Sequence, residues 1–500
     1  MLRRGGALLL PLLLVACGST ARFPPNAGEQ VGLGPGEEAG SGIGADPAVA
    51  AEGGATGPSA AGSSAQGTTR SGTTAGSGPG RGSGGRGGGG SGGGGGTSSR
   101  TRGVTNSVIR IGIEYSIDSG SVGDSFKVPG VAAVDWKLMF GTLVDDVNAR
   151  GGIHGRKLDP VYFGYRFDGD WSTQEGAACT KFTQDVPVFA VVAFNRNDLS
   201  CYEKAGLPQV TIGNLSWFDD KEYADYPHLV TGGGFSWDRT LPALADNLHA
   251  QGFFGENPVI GVVSHEGERW DRIVGRLKRE LARYGLTVAK ETRLPEFRSA
   301  NTASEFSAAV SNGILRFRQP PEVNRVLFVE QVSIGAYEWM SAADGQQYRP
   351  RYGLTSNDQP VFLAESLVSK EQLRGALGLG FAPTMDVGHA DDPGIPGQKR
   401  CLDMLKEHQE FKTRSDDSQG VMKCGQIWTL EEALRAGGPD ITSRSFLEGL
   451  RKAGTTMQMA TTFASNFGTG RRDGAAVIRR LAFVEACSCF RYTSGDIAVP

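Results

Sequence analysis

The chain has 500 residues, 39% of them hydrophobic, and a formal net charge of −3. Basic and acidic residues interleave through residues 107–500 with no long single-sign run, which argues against a nucleic-acid surface. The six histidines are scattered and none stands at ligand spacing from a cysteine pair, which argues against a bound metal.

At the N-terminus Arg3 and Arg4 precede a short apolar run, residues 7–16, that ends at Cys17. A spanning helix needs about 20 apolar residues, so residues 1–16 read as a signal sequence, and no later segment is long and apolar enough to span. Leu14-Val15-Ala16-Cys17 resembles a bacterial lipobox, in which the cysteine is diacylglyceryl-modified and becomes the first residue after cleavage. The resemblance implies an extracytoplasmic protein anchored to the cell membrane by a lipid on Cys17; an ordinary signal peptide with a cysteine at its cleavage site is the alternative. Residues 17–106 carry the lipidated cysteine and then a Gly-, Ser-, Ala-, Thr- and Pro-rich stretch, extreme at Gly87-Gly88-Gly89-Gly90-Ser91-Gly92. Such a stretch buries too little apolar surface to fold, and as a coil of about 85 residues it spans roughly 50 Å.

From residue 108 strands alternate with amphipathic helices, the pattern of a parallel sheet covered on both faces. A first strand is predicted at 108–113, then a helix over 132–149 with Val134, Leu138, Leu143 and Val147 on its apolar face, stopped by Gly151-Gly152. A strand at 160–164, a helix at 173–184 and strands at 188–193 and 209–212 follow. A second series begins at Ser236, whose hydroxyl can cap a helix running to 250. It continues with a strand at 259–264, a helix at 268–284, a strand at 286–292, a helix at 303–318, a strand at 325–330, and a helix and strand ending near 355. Two consecutive series in some 390 residues imply an α/β protein of two doubly wound lobes, with a ligand cleft near the carboxyl ends of the strands.

Beyond Cys17 there are six cysteines, an even number that points to disulfides in an exported chain. Pairing in sequence order is the economical reading: Cys179 with Cys201, Cys401 with Cys424, Cys487 with Cys489. The first two would close loops worth roughly 3 kcal/mol each through the unfolded ensemble.

The residues resemble the type I periplasmic solute-binding proteins of the branched-chain-amino-acid kind, which deliver substrates to ABC importers. The resemblance rests on Ile109-Arg110-Ile111-Gly112 and on the run from Asp145 to Lys157, with Asn148, Gly151, Gly152, Ile153, Gly155 and Arg156 matching that family's helix-ending turn. Ala205-Gly206-Leu207-Pro208 and Arg472-Asp473-Gly474 are similar to its later turns, and Cys179 and Cys201 fall where members can carry a first-lobe disulfide. It implies Rossmann-like lobes joined by a three-segment hinge near 231–234, 381–384 and 462–465. The N-terminal lobe would be 107–232 plus 382–461, and the C-terminal lobe 233–381 plus 462–500. It further implies a monomer with a small-molecule ligand, an ABC permease as partner and no cofactor.

The pocket departs from that family. Where members place a Ser and a Thr for the ligand carboxylate, this chain has Phe194-Asn195-Arg196-Asn197 and Gly213-Asn214-Leu215-Ser216-Trp217. The family's Tyr-Gly of the second lobe reads Arg269-Trp270, and the acid that receives an ammonium falls near Ser356-Asn357-Asp358. Branched-chain amino acids are therefore not the expected ligand. Asn195 and Asn197 offer amide donors and acceptors, Arg196 could fork onto a carboxylate or phosphate or form a surface salt bridge, and Trp217 and Trp270 could stack on a ligand or pack the lobes. Asn214, Ser216, Ser356, Asn357 and Asp358 complete the candidate set, Asp358 being readable equally as a turn acid.

Catalytic signatures are missing: HExxH, GxSxG, a Walker A loop and a dinucleotide GxGxxG do not occur in suitable context. The glycine cluster at 375–380 reads as a strand, and His265-Glu266 has no partner base. The expectation is a binding protein rather than an enzyme, with a ligand sensor or cell-envelope interaction protein of the same fold as the alternative. Contacts to both lobes would favour a closed state, and moving such an equilibrium from mostly open to mostly closed takes roughly 5.5 kcal/mol.

Overall fold

The computed structural model describes residues 101–118, 134–194, 198–211, 217–296, 302–330, 334–468 and 470–499. Cys17, the signal sequence and the tether lie outside the described residues, as do Asn195, Arg196, Asn197, Asn214 and Ser216.

The first sheet is built on β1 (Val108–Ser116), whose Ile109, Ile111 and Ile113 are fully buried. β2 (Lys157–Tyr165) pairs along one side of β1, and β3 (Ala190–Val192), β4 (Gln209–Thr211) and β5 (Leu229–Thr231) continue on the other, giving the order β2-β1-β3-β4-β5 with every pairing parallel. The three short strands are buried along their whole length, as parallel strands covered on both faces must be. Between β1 and β2 runs the helix Trp136–Ala149, started by Asp135, whose carboxylate accepts from the Leu138 backbone N–H. Starting there puts Trp136, Met139, Phe140, Leu143, Val144 and Val147 on the core face, whereas Leu138, expected on that face, is 41% exposed. The turn into β2 requires its glycines: Gly151, Gly152 and Gly155 all have positive φ, and a Cβ on Gly152 would overlap the Arg156 carbonyl.

The second sheet holds β6 (Ile260–His265), β7 (Val288–Leu294), β8 (Arg325–Val329), β9 (Arg351–Leu354), β10 (Leu377–Gly380), β11 (Val477–Val484) and β12 (Cys489–Tyr492), in the order β12-β11-β10-β9-β8-β6-β7, with β13 (Ile497–Ala498) against β11. β6 to β10 are parallel; β11 adds antiparallel to β10, and β12 to β11.

The chain passes between the two sheets' layers three times. After β5 it enters the helix Trp237–Ala250, which packs on β10. After β10 it returns through the helices Pro396–Lys406, Arg414–Gly437 and Ser443–Ala453, the long middle one lying on the helix Trp136–Ala149 and on β4. It then goes back to the second sheet for β11. The crossing segments lie side by side: Gly474 N–H donates to Thr231 O at 2.9 Å, Ala475 N–H to Gly234 O at 3.1 Å, and Asn466 N–H to Gly474 O at 2.8 Å. One apolar cluster runs from the first sheet through this region, by way of Phe235, Trp237, Trp270, Leu379 and Phe381; a second, with Phe306, Phe328, Trp339 and Tyr352, belongs to the other sheet. Disulfides join Cys179 to Cys201, Cys401 to Cys424 and Cys487 to Cys489. Among the described residues no helix is long and apolar enough to cross a membrane.

Candidate functional site

The carboxyl ends of the two sheets turn toward each other. Asp219 and Glu222, beyond β4, meet the helix Glu268–Ala282 beyond β6: Arg272 Nε lies 2.7 Å from Asp219 Oδ2, and Arg269 Nε 2.7 Å from Glu222 Oε1. Ligands of open α/β sheets are held at such edges, so the charged and aromatic groups there define the candidate site.

On the first sheet's edge the carboxylate of Glu114, the one acid in β1, is buried. It accepts from Tyr202 Oη at 2.6 Å, Phe194 N–H at 2.9 Å and Tyr165 Oη at 3.4 Å. Around it stands an aromatic wall centred on Phe194, whose ring centroid is 5.1 Å from Trp136, 5.9 Å from Tyr165, 6.3 Å from Phe167 and 6.4 Å from Trp171. The returning helix Arg414–Gly437 is pinned to this edge by Gln426, whose Nε2 donates to Ala193 O at 2.9 Å. One turn earlier the buried Lys423 sets its Nζ 3.3 Å from the Trp136 ring centroid.

On the second sheet's edge three acids are buried. Glu330, one residue past β8, accepts from Ala336 N–H at 2.7 Å through Oε1, while Oε2 has no hydrogen-bond partner among the described residues. Asp358 accepts from Thr355 N–H at 2.7 Å through Oδ2, and its Oδ1 has no partner among the described residues. Asp386 accepts from Ala382 N–H at 3.0 Å and Tyr492 Oη at 2.8 Å. Burial pushes Asp358 and Asp386 up to about 7 and raises Glu330 well above the usual carboxylate range, the charge of Asp358 adding to the effect on Glu330. Among the described residues no group of three or more His, Cys, Asp or Glu side chains could hold a metal ion.

Ser356, Asn357 and Asp358 come together in one short turn beyond β9, all three buried. Ser356 Oγ accepts from the backbone N–H groups of Phe381 and Ala382 at 2.8 and 3.2 Å, holding the second crossing segment. Trp270 is fully buried, 6.2 Å from Trp237 and 5.0 Å from His265 between ring centroids, and Trp217 is 3% exposed. Glu114, Glu330, Asp386 and Lys423 escaped the sequence reading. Their one local signal is a charge inside an apolar run, seen at Glu114 in VIRIGIEYS and at Lys423 between Met422 and Cys424.

A parallel five-stranded sheet and a mixed second sheet, linked by three crossings and facing each other at their carboxyl edges, make this chain a two-lobed protein of the type I periplasmic-binding-protein fold. Solved structures agree. The chain is similar to a possible leucine/isoleucine/valine-binding protein from Rhodopirellula baltica (TM-score 0.55, 12% identity, 78% of this chain and 96% of that one). It is also similar to a fatty acid ABC transporter substrate-binding protein from Thermomonospora curvata (TM-score 0.56, 14% identity, 79% and 94%). A third likeness is to an ABC-transporter solute-binding protein from Rhodopseudomonas palustris in complex with p-hydroxybenzoic acid (TM-score 0.57, 11% identity, 79% and 98%). At these identities the likeness concerns the fold. No protein-family model matches the sequence, and no curated protein does.

Proposed function

We propose that this protein is a non-enzymatic, extracytoplasmic solute-binding protein, anchored by lipid on Cys17, that captures a small molecule between its lobes and delivers it to an ABC importer. The lobes are 107–232 plus 382–461 and 233–381 plus 462–500, hinged where the three crossings lie side by side. The observation that carries the reading is the pair of facing edges, each lined by buried ionisable groups whose charge or hydrogen-bonding capacity the protein leaves partly unmet: Lys423 on one side, Glu330 and Asp358 on the other. Buried polar groups without partners are costly, and a ligand that supplies the partners recovers that cost on closure. Asn195, Arg196, Asn197, Asn214 and Ser216, which follow β3 and β4 in sequence, are the remaining ligand candidates together with Trp217 and Trp270. The solved neighbours described as substrate-binding proteins of ABC transporters support the same assignment.

Native mass spectrometry of protein purified without denaturation tests it. The expected result is a complex heavier than the chain by one small molecule, lost on unfolding and refolding. A bare mass, with no thermal stabilisation by any member of a broad metabolite panel, would remove the solute-binding reading.

A further inference from the structure

Lys423 is a buried cation at the site that the described fold leaves without a counter-charge. Gln426 ties its helix to Ala193 O, so the preceding turn is held against the carboxyl edge of β3. There Nζ sits 3.3 Å from the Trp136 ring centroid and 5.9 Å from that of Phe140, and its hydrogen-bond acceptor is Gln419 Oε1 at 3.3 Å. Among the described residues no carboxylate lies within salt-bridge distance of Nζ, although the residue is 1% exposed. Glu114, the buried acid of this sheet edge, is engaged by two tyrosine hydroxyls and a backbone N–H.

An ammonium removed from water without a counter-charge is strongly disfavoured. Aromatic faces and one amide oxygen recover only part of the loss. Burial accordingly drives the amine well below its ordinary range, toward the neutral form. A lysine in this setting is matched by an anion that arrives with its own apolar body, because the surrounding wall offers rings and little water.

We propose that Lys423 is the counter-charge for the carboxylate of a bound aromatic or apolar carboxylic acid, whose body lies against Trp136 and Phe194. This assignment rests on the solute-binding reading and names the ligand class for that site. It sets the polarity of the complex, with the acid group at the first sheet's edge and the ligand's far end toward Glu330 and Asp358. It also requires proton uptake on binding, since the arriving carboxylate restores the ammonium form. Among the described residues the groups that contact Nζ are Gln419 on its own helix and Trp136 and Phe140 on the facing one; none of these titrates in the working range.

The test uses the mature full-length chain, with benzoate, phenylacetate, 4-hydroxybenzoate and octanoate as probes, their neutral amides as controls, and leucine as a zwitterion. Titration calorimetry in two buffers of different ionisation enthalpy is expected to show at least one of the acids binding tenfold or more tightly than its amide, with net proton uptake at pH 8. Lys423→Met should keep the thermal unfolding transition and lose at least tenfold in affinity for that acid, with amide binding unchanged. Lys423→Arg should retain part of the affinity. If neutral probes or leucine bind and Lys423→Met leaves every affinity unchanged, the role of Lys423 is overturned while solute binding stands. Acid binding without proton uptake in the wild type overturns it equally, whether or not the variant folds. If no probe binds and no ligand is retained in native mass spectrometry, both readings fall.

Discussion

Arg269 Nε lies 2.7 Å from Glu222 Oε1, so the helix beyond β6 grips the short helix Asp220–Asp225 beyond β4 through a pair whose side chains are 14% and 9% exposed. Removing one partner of a buried pair leaves the other charge stranded, at about 3–5 kcal/mol. Arg269→Ala should therefore lower stability by several kcal/mol in urea denaturation. Arg272→Ala strands Asp219, 5% exposed, but that carboxylate keeps the Glu222 backbone N–H as a donor, so the cost should be smaller, about 1–3 kcal/mol. Equal losses for the two variants would contradict this ranking.

The buried acids predict a pH dependence. Asp358 and Asp386 have folded-state values of about 7, above the ordinary value of 3.8, so between pH 4 and 7 the folded state holds more protons than the unfolded one. Their contribution to stability is then greatest at low pH, falls as pH rises through that window, and is flat above it. Asp358→Asn should raise the melting temperature by a few degrees at pH 8 and change it little at pH 4. Each kcal/mol corresponds to about 2–4 °C in domains of a couple of hundred residues, so the difference is measurable by calorimetry. A gain of equal size at both pH values would mean that ionisation is not its source.

The disulfides differ in what they constrain. Cys401–Cys424 spans 23 residues and ties the helix Pro396–Lys406 to the long helix Arg414–Gly437, whereas Cys487–Cys489 spans 2 within the turn between β11 and β12. Loop-closure entropy gives about 3 kcal/mol for the first and about half that for the second. Replacing both cysteines of the first pair with alanine should depress the unfolding temperature by roughly twice as much as doing so for the second, read by thermal denaturation under oxidising conditions.

The crossing region tolerates no side chain at Gly474. A Cβ there would overlap both the Gly232 carbonyl and the Phe467 ring. Forcing one in pushes two backbones apart, so Gly474→Ala should destabilise by about 1–3 kcal/mol. Gly470→Ala, where nothing lies within contact of the new Cβ but φ is +83°, should cost about 1 kcal/mol through backbone strain alone. Urea midpoints for the two variants separate the cases.

Much of this architecture was legible because local pattern and final environment coincide. Ile109, Ile111 and Ile113 alternate as an inward-facing strand, and Gly151, Gly152 and Gly155 announce a turn that needs positive φ. Strand order was not legible, since nothing in β6 states that it will lie between β8 and β7. The helix over Leu138 was misread in phase because its start, at Asp135, is decided by a cap and by Trp136 reaching Phe194, a contact 58 residues away. The site was harder still. Ser356 reads as a ligand hydroxyl, and its actual engagement is with backbone N–H groups 25 and 26 residues on. Lys423 lies between Met422 and Cys424 as a helical lysine can, and only the packing of Trp136 and Phe140 over its amine reveals a cation without a counter-charge among the described residues.

The threefold passage has an implication for assembly in time. When a chain emerges N-terminus first, the strands of the first sheet are all present by Thr231, yet the long helix that covers part of it begins only at Arg414. The second sheet likewise waits for Val477 before β10 gains its outer neighbour. Neither half can be completed from a contiguous fragment, so an emerging chain must be shielded from premature aggregation until nearly its last residues arrive, and a nascent polypeptide halted before Arg414 should behave as a sticky, protease-sensitive species.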